Sequence, residues 1–171
     1  GSNDFIELEP WTFGADPFTF EVYLKLDTGN PDWFQLINFY DIIGNHNNAI
    51  YLQRRGNTTD LNFRIVNGTT DKIAMGETVV SFNQWLHIVA TSENTTMKLF
   101  VNGVKVAENI NAHSGQDMKR NYHYIGKPWA TTVDTVDGTI AFFRFWDGTA
   151  LSSTDVAALY ATRNVKTGPG I

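Results

Sequence analysis

The strongest constraint on the fold is a stretch in which apolar side chains recur at every second position. In FTFEVYLKL, every second residue from Phe18 to Leu26 is apolar, while Glu21 and Lys25 lie in the alternate set. Successive side chains of a β-strand point to opposite faces, whereas a helix would scatter this apolar set around its axis. The stretch is therefore predicted to be a half-buried strand.

The same alternation returns along most of the chain, interrupted by short turns rich in Gly, Asn and Asp. Asn102-Gly103 stands between two alternating runs, and this dipeptide is the strongest short-range signal of a β-hairpin. Many short strands separated by such turns indicate an antiparallel sandwich or barrel. The other main predicted strands are WFQLINFY (33–40), AIYLQRR (49–55), LNFRIV (61–66), WLHIVATS (85–92), YHYIGK (122–127) and TIAFFRFW (139–146).

The end of the domain combines an aromatic strand with a helix. TIAFFRFW is aromatic on both faces of its alternation, which predicts a central strand that is buried on both sides. LSSTDVAALY (151–160) is typical of a helix. Ser152 or Ser153 can cap its first turn, where Asp155 interacts favourably with the helix dipole.

Composition narrows the class of protein. The 171 residues suffice for one domain with a sizeable core, and 13 Lys and Arg against 18 Asp and Glu give a net charge of -5. We expect no nucleic-acid partner, because phosphate binding needs clustered basic residues and those of this chain are scattered. We expect no membrane insertion either, since no apolar run approaches the roughly 20 residues of a membrane span. The chain contains no cysteine, which excludes disulfides and thiolate metal sites.

The order of these motifs resembles the laminin-G-like domains of the concanavalin A-like lectin/glucanase superfamily. The resemblance covers about residues 5–160 and rests on the ordered set of motifs. It implies an all-β fold, a two-sheet antiparallel jelly-roll sandwich with one short C-terminal helix. It also implies a repertoire of glycan binding, protein adhesion and calcium sites at the rim. The set comprises FIELEPWTFGADPFTFEVYLKL, WFQLINFYD, NAIYLQRRGNTTDLNFRIVNG, QWLHIVAT, MKLFVNGVKVA, YHYIGKPW and DGTIAFFRFWDGTALSSTDVAALY.

The domain organisation follows from the ends of the chain. The start, Gly1-Ser2, is typical of a cloning remnant, and the final VKTGPGI has the composition of a domain edge. We therefore expect residues 1–4 to be a remnant and linker, residues 5–162 to form the laminin-G-like domain, and residues 163–171 to form a C-terminal tail. On this interpretation the domain belongs to a longer protein.

The catalytic interpretation rests on two glutamates. Glycosidases that this superfamily includes resemble one another in a strand with Glu-x-Asp-x-x-Glu, because retaining hydrolysis needs two carboxyl groups about 5 Å apart. This sequence offers only IELEP, in which Glu7 and Glu9 share a face and Pro10-Trp11 follows. We favour two solvated glutamates at the edge of a first strand, and we predict no catalytic residue. Glycoside hydrolysis is the remote alternative.

A run of amide and carboxylate side chains, NFYDIIGNHNN (38–48), is the candidate calcium site. Calcium binds about six to eight oxygen atoms, and the resemblance places this segment near the rim of the sandwich. The predicted ligands are Asp41, Asn47 and Asn48, with Asp41 as the anchor. The alternative is an ordinary turn rich in asparagine.

Glycan recognition combines an aromatic platform with planar polar groups. Trp129 is the first aromatic candidate, because it follows Pro128 and precedes small polar residues that are typical of a loop. Tyr40 is the second. Most of the other tryptophans, including Trp85 and Trp146, are expected in the core. The predicted carbohydrate-binding residues are Trp129, Tyr40, Asp41, Asn45, Asn47 and Arg55.

Together these patterns predict a non-catalytic, lectin-like carbohydrate-binding module of a larger extracellular or cell-surface protein, with calcium as an optional cofactor. Its partner would be a glycan or polysaccharide. Arg54, Arg55 and Arg64 would suit an acidic polysaccharide, and a solvated strand face is the other interpretation of these arginines. A protein-adhesion domain of the laminin-G type, with a protein partner, is the alternative function, and a structural spacer is the third.

Overall fold

The computed structural model describes residues 4–128 and 135–163 of the chain. In these residues the chain forms thirteen β-strands joined by turns and loops, followed by one α-helix near the C-terminus. The strands are β1 Ile6–Leu8, β2 Thr12–Phe13, β3 Phe18–Leu26, β4 Gln35–Tyr40, β5 Ile50–Arg54, β6 Leu61–Asn67, β7 Thr70–Gly76, β8 Trp85–Glu93, β9 Thr96–Val101, β10 Val104–Asn109, β11 Met118–Lys119, β12 Tyr122–Ile125 and β13 Gly138–Asp147. The helix, α1, is Ser153–Thr162.

Most of these strands belong to two large sheets. One sheet has six strands in the order β1-β12-β4-β5-β6-β7, and the other has five in the order β10-β9-β8-β3-β13. All pairings within both sheets are antiparallel. This arrangement confirms the predicted two-sheet antiparallel jelly-roll sandwich.

The core lies between the two sheets and uses the alternation that the sequence shows. Phe20 and Leu24 of β3 are each 1% exposed, and they pack with Phe39 and Phe63 of the six-stranded sheet. The ring centroids of Phe20 and Phe39 lie 5.3 Å apart. Full burial of an apolar side chain of this size stabilises the fold by about 1.5–3 kcal/mol.

The predicted hairpin and helix are both present, and they meet. Asn102 and Gly103 join β9 to β10 with φ angles of 51° and 81°, as a two-residue turn with positive φ at both positions requires. A Cβ atom added to Gly103 would lie 3.0 Å from the Tyr160 side chain of α1, so this turn also makes room for the helix.

The helix begins where the sequence predicts. Ser152 accepts a hydrogen bond from the backbone N–H of Asp155, and the Asp155 carboxylate accepts one from the backbone N–H of Ser152. Such a capping box contributes about 1 kcal/mol. α1 covers the outward side of the five-stranded sheet, where Val156 is buried against Val89 and Phe100. In the described part of the chain, no helix is long and apolar enough to span a membrane.

The prediction of a central strand for TIAFFRFW is wrong. β13 lies at the end of the five-stranded sheet, and its residues are half-buried or exposed. Its aromatic content on both faces has a different reason. Phe143 and Phe145 pack against the core, while Trp146 lines a groove of about 300 Å³ beside α1. Trp85 also departs from the expected core position, because it is 42% exposed at the start of β8.

Candidate functional site

The side of the six-stranded sheet that faces away from the core carries a row of polar and aromatic residues. Residues that oppose each other in an antiparallel pair point to the same side of the sheet, so the register defines the row. Phe39 and Leu52, which alternate with members of the row, belong to the core. From β1 to β7 the row consists of Glu7, Tyr124, Asn38, Tyr51, Arg64 and Ile73.

Two shorter rows flank this central row. They contain further amides and tyrosines in place of the aliphatic residues that fill the core side of the sheet. One row consists of Gln35, Gln53, Asn62 and Met75, and the other contains Tyr122, Tyr40, Val66 and Asp71. We call the three rows together the amide–tyrosine face.

The tyrosines of the amide–tyrosine face pack against one another. The rings of Tyr40 and Tyr122 stack with centroids 4.9 Å apart, and the centroids of Tyr40 and Tyr124 lie 5.9 Å apart. Burial raises the pKa of Tyr40, Tyr51 and Tyr124 above the usual value of 10. These phenols are therefore protonated at neutral pH and can donate hydrogen bonds.

Two asparagines on this face hold buried oxygen atoms to which no described residue donates a hydrogen bond. Asn38 is fully buried, and its Nδ2 donates to the Lys127 carbonyl at 3.4 Å, but its Oδ1 has no partner. Asn62 is 4% exposed, and its Oδ1 is likewise without a partner. An unsatisfied buried acceptor costs about 1–3 kcal/mol, and such groups in native proteins usually have a specific reason.

Two arginines lie on or beside the face, and they differ in how accessible they are. Arg64 forms an ion pair with Asp71 of the neighbouring strand, and its guanidinium lies 5.4 Å from the centre of the Tyr51 ring. The Arg55 side chain is 52% exposed, and its Nη1 lies 3.6 Å from Oδ2 of Asp60. Exposed pairs of this length contribute little, so the Arg55 guanidinium is available for a ligand.

One arginine that the sequence suggested as a glycan ligand does not contribute to the face. Arg54 is buried; its Nε donates to the Thr58 carbonyl, and its guanidinium packs over the Phe34 ring. It is therefore a structural residue. Trp129 lies outside the described residues, and its role in glycan binding stays a prediction.

Trp33 borders the face where β4 begins. The sequence pattern predicts it to lie in a strand. β4 starts at Gln35, and Trp33 precedes it in a turn with a φ of 61°. Trp33 is 44% exposed. A positive φ is strained for a bulky residue, and strained residues concentrate at functional sites. The signal that could have revealed this turn is the preceding run Gly29 to Asp32, GNPD, which consists of turn-forming residues.

The loop between β4 and β5 contains the predicted calcium ligands, and two of their oxygen atoms already accept hydrogen bonds. Oδ1 of Asp41 accepts from Nδ2 of Asn121 at 2.6 Å. Oδ1 of Asn48 accepts from the backbone N–H of Gly68, also at 2.6 Å. These contacts hold the loop against its neighbours without an ion.

A buried cation lies behind this loop. The fully buried Arg120 donates from Nε to the Asn48 carbonyl at 2.6 Å, from Nη1 to the Phe13 carbonyl at 2.9 Å and from Nη2 to the Gln116 carbonyl at 3.3 Å. Its positive charge opposes a second cation beside Asn48. No group of three His, Asp or Glu residues that could hold a metal occurs in the part of the chain described. Calcium binding stays a prediction from the sequence.

The remaining predicted glycan-binding residues are spread along the face and its end. Tyr40 closes β4, and Arg55 directly follows β5, so the two mark opposite ends of the sheet. Asp41 adjoins Tyr40. Asn45 and Asn47 lie in the loop beyond, where Oδ1 of Asn45 accepts from the backbone N–H of Asn47 at 2.8 Å. No observation on this chain tests their contact with a glycan, so these roles stay predictions.

The two glutamates of IELEP have separate surroundings. β1 ends at Leu8, so Glu9 lies beyond the strand. Glu7 opposes Tyr124 in the register, and after burial its nearby charge helps to raise the pKa of that phenol. Glu7 is thereby part of the amide–tyrosine face.

Comparison with known families agrees with this architecture. The profile of the concanavalin A-like lectin/glucanases superfamily designated Laminin_G_3 matches residues 1–157. The chain therefore belongs to this family, as the resemblance in its motifs predicted. No curated protein matches the sequence.

Three solved structures illustrate the range of proteins with this fold. The CBM40 of the Ruminococcus gnavus IT-sialidase, bound to α2,3 sialyllactose, is 15% identical, with a TM-score of 0.69 over 94% of this chain and 99% of its own. Domain 4 of AbnA, a GH43 extracellular arabinanase from Geobacillus stearothermophilus in complex with arabinotriose, is 16% identical, with a TM-score of 0.71 over 91% and 72%. Domains LG4-5 of the mouse laminin alpha1 chain are 14% identical, with a TM-score of 0.65 over 90% and 41%. At sequence identities of 14% to 16%, these three comparisons show that the fold is shared.

Proposed function

We propose that this domain is a non-catalytic carbohydrate-binding module and that the amide–tyrosine face is its glycan-binding surface. The observation that carries the proposal is the combination of tyrosine rings and unsatisfied amide oxygens on one side of one sheet. Amides donate to and accept from sugar hydroxyls, and aromatic rings pack against the C–H faces of pyranoses. On this face the partly buried Tyr122 offers such a ring, because Tyr40, Tyr51 and Tyr124 are only 2%, 3% and 6% exposed. On this proposal, Oδ1 of Asn62 accepts a hydrogen bond from a sugar hydroxyl.

The charges of the face favour a neutral or weakly acidic glycan. Asp71 neutralises Arg64, and Asp60 lies near Arg55, so the face has no strong excess of positive charge. A densely sulfated polysaccharide requires clustered arginines that are free to pair with its anionic groups. A single carboxylate on the glycan would pair with the accessible guanidinium of Arg55.

The same proposal places the domain outside the cell or on its surface, as part of a larger protein. Two proteins of the same fold are an extracellular arabinanase and a laminin chain.

A glycan array tests this function, with sialyllactose and arabinotriose among the probes because two proteins of the same fold bind them. We expect the wild-type domain to bind at least one glycan, and we expect Asn62→Ala and Arg55→Ala to weaken that binding. Trp85→Ala alters the other sheet and is the matched control. Binding to no glycan contradicts the proposal, as does a loss in the Trp85 variant equal to that in the Asn62 variant.

Protein adhesion is the second candidate, and one observation favours it. Ile42 and Ile43, at the tip of the β4–β5 loop, are 56% and 55% exposed. Adjacent exposed apolar side chains on a loop are typical of a protein contact. If adhesion is the function, the double change of Ile42 and Ile43 to Ser abolishes attachment of the domain to cells, whereas Asn62→Ala leaves it unchanged.

A further inference from the structure

Trp33 is held against the turn that joins β5 to β6. Three contiguous indole atoms, Cε2, Cζ2 and Nε1, lie 3.6, 3.6 and 3.7 Å from the position that a Cβ atom on Gly56 would take. Nearly equal distances are expected when a ring face, rather than a ring edge, meets the turn. The backbone N–H of Trp33 also donates to the Gly56 carbonyl at 3.3 Å.

This packing leaves much of Trp33 accessible. The residue is 44% exposed, although burial of an indole is normally favourable. The exposed part of the indole is available for stacking on a sugar. Because the left-handed backbone and the Gly56 contact fix the side chain before binding, little conformational entropy is lost when a ligand stacks on it.

A planar hydrogen-bond donor stands beside this ring. Arg55 immediately precedes Gly56, and its Nη1 lies 3.8 Å from Sδ of Met75, which belongs to the flanking row with Gln53 and Asn62. The guanidinium therefore lies next to the amide–tyrosine face, at the end where Trp33 stands. An aromatic ring and a forked donor together are the two elements of a sugar subsite.

The distance between the Trp33 end and the Tyr40 end of the amide–tyrosine face sets the length of glycan that it can hold. Trp33 and Tyr40 are seven positions apart in the sequence. β4 itself, Gln35–Tyr40, spans five residue steps and therefore roughly 16 Å at about 3.3 Å per step, and Trp33 lies beyond its first residue. Several linked sugar rings are needed to fill this length, whereas one ring occupies only a part of it.

We propose that Trp33 and Arg55 form a terminal subsite for an extended oligosaccharide. On this basis the module recognises an internal segment of a linear glycan chain instead of a single terminal sugar. The inference rests on the proposed function, because it assumes that the amide–tyrosine face binds the rest of the chain. Stacking of one additional sugar on Trp33 is worth about 1 kcal/mol, so filling this subsite raises the affinity by about fivefold.

Isothermal titration calorimetry with linear oligosaccharides of increasing length tests the subsite. The probes are arabino-, xylo- and cello-oligosaccharides from the disaccharide to the hexasaccharide, with α2,3-sialyllactose as a probe that presents a terminal sugar. We expect the affinity within one linear series to rise by about fivefold with length. Trp33→Ala should abolish the rise while it keeps the affinity for the disaccharide, and Trp33→Tyr, which retains a ring, should restore most of it.

Trp85→Ala is the matched control, because Trp85 is 42% exposed, nearly as much as Trp33, but lies on the other sheet. This variant should retain the full dependence on length. Affinity that does not depend on length, binding of sialyllactose alone, or a rise that survives Trp33→Ala overturns the subsite and leaves the proposed function standing. Failure to bind any of these probes, together with a negative glycan array, overturns both.

Discussion

Glu21 and His87 form a fully buried pair, in which Nε2 of the imidazole lies 2.7 Å from Oε1 of the carboxylate. The pair connects β3 to β8 on the side of the five-stranded sheet that α1 covers, with the ring of Tyr160 5.7 Å from the imidazole. Arg144 of β13 donates to the second carboxylate oxygen at 3.3 Å. Three strands and the helix thus meet at one polar cluster, on the opposite sheet from the amide–tyrosine face.

Removal of either member of this pair should strongly destabilise the domain. Glu21→Leu or His87→Leu leaves a buried polar partner without compensation, which typically costs about 3–5 kcal/mol. Urea unfolding measures the loss. The exposed pair of Lys105 and Glu108, 2.8 Å apart, is the matched control, and Lys105→Ala should change the free energy of unfolding by less than about 1 kcal/mol. Comparable small changes at both pairs would contradict the structural role of the buried one.

His123 should make the domain sensitive to acid. It faces the core with its ring stacked 4.3 Å from Phe39, and neither ring nitrogen has a hydrogen-bond partner among the described residues. Burial, aided by the nearby charge of Arg120, lowers the pKa of His123 from 6.5 to about 4. As the pH falls, the unfolded chain therefore binds a proton before the folded one does, and stability is lost between pH 6.5 and pH 4.

The experiment is urea unfolding across this pH window for the wild type and His123→Phe. The phenylalanine keeps an aromatic ring beside Phe39 and has no titratable nitrogen. We expect the stability of the variant to fall less steeply with acid than that of the wild type. Parallel pH profiles would show that His123 is not the responsible group.

Glycan binding to the amide–tyrosine face should be insensitive to mild alkali. Burial raises the pKa of Tyr40, Tyr51 and Tyr124 above 10, so their hydroxyl groups still donate hydrogen bonds at about pH 9. Titration calorimetry at neutral pH and at about pH 9 should give the same affinity for a glycan that the wild type binds. A loss of affinity in this range that Tyr51→Phe removes would indicate an ionised Tyr51 instead.

Arg120, and not a metal ion, should hold the loop that follows β4. Arg120→Met leaves the carbonyls of Asn48, Phe13 and Gln116 without their donor, and we expect it to lower the free energy of unfolding by about 3 kcal/mol or more. Thermal unfolding of the wild type should be the same in calcium and in EDTA. A melting temperature that rises with calcium, and a rise that Asp41→Asn removes, would instead support the calcium ligands predicted from the sequence.

Much of the architecture could be predicted because it is local. The strand at FTFEVYLKL, the turn at Asn102-Gly103 and the cap at Ser152 each depend on neighbouring residues, and each is present in the fold. The prediction that this strand is half-buried is wrong, because both of its faces are buried. The position of β13 in its sheet is not local. An edge strand whose outward-facing Trp146 lies beside a helix has the same aromatic pattern as a central strand.

The candidate site was harder to predict because its residues come together only through the pairing register of neighbouring strands. Asn38, Tyr51 and Arg64 share a row only because β4, β5 and β6 pair with one particular alignment, and a shift by one residue would turn each to the core. Trp33 was missed for a related reason. In the sequence Trp33 continues the apolar pattern of β4, although the turn that precedes β4 places this residue outside the strand.

The central claim is that the amide–tyrosine face binds glycan, and an NMR titration of the ¹⁵N-labelled domain tests it most directly. The titrant is the glycan that gives the strongest signal on the array. We expect the largest shift changes at the backbone amides of Asn38, Tyr51, Asn62 and Arg64 and at the side-chain amides of the two asparagines, with little change along β3, β8 and α1. Shift changes confined to the five-stranded sheet and α1, or no changes with any array glycan at millimolar concentration, would contradict the claim.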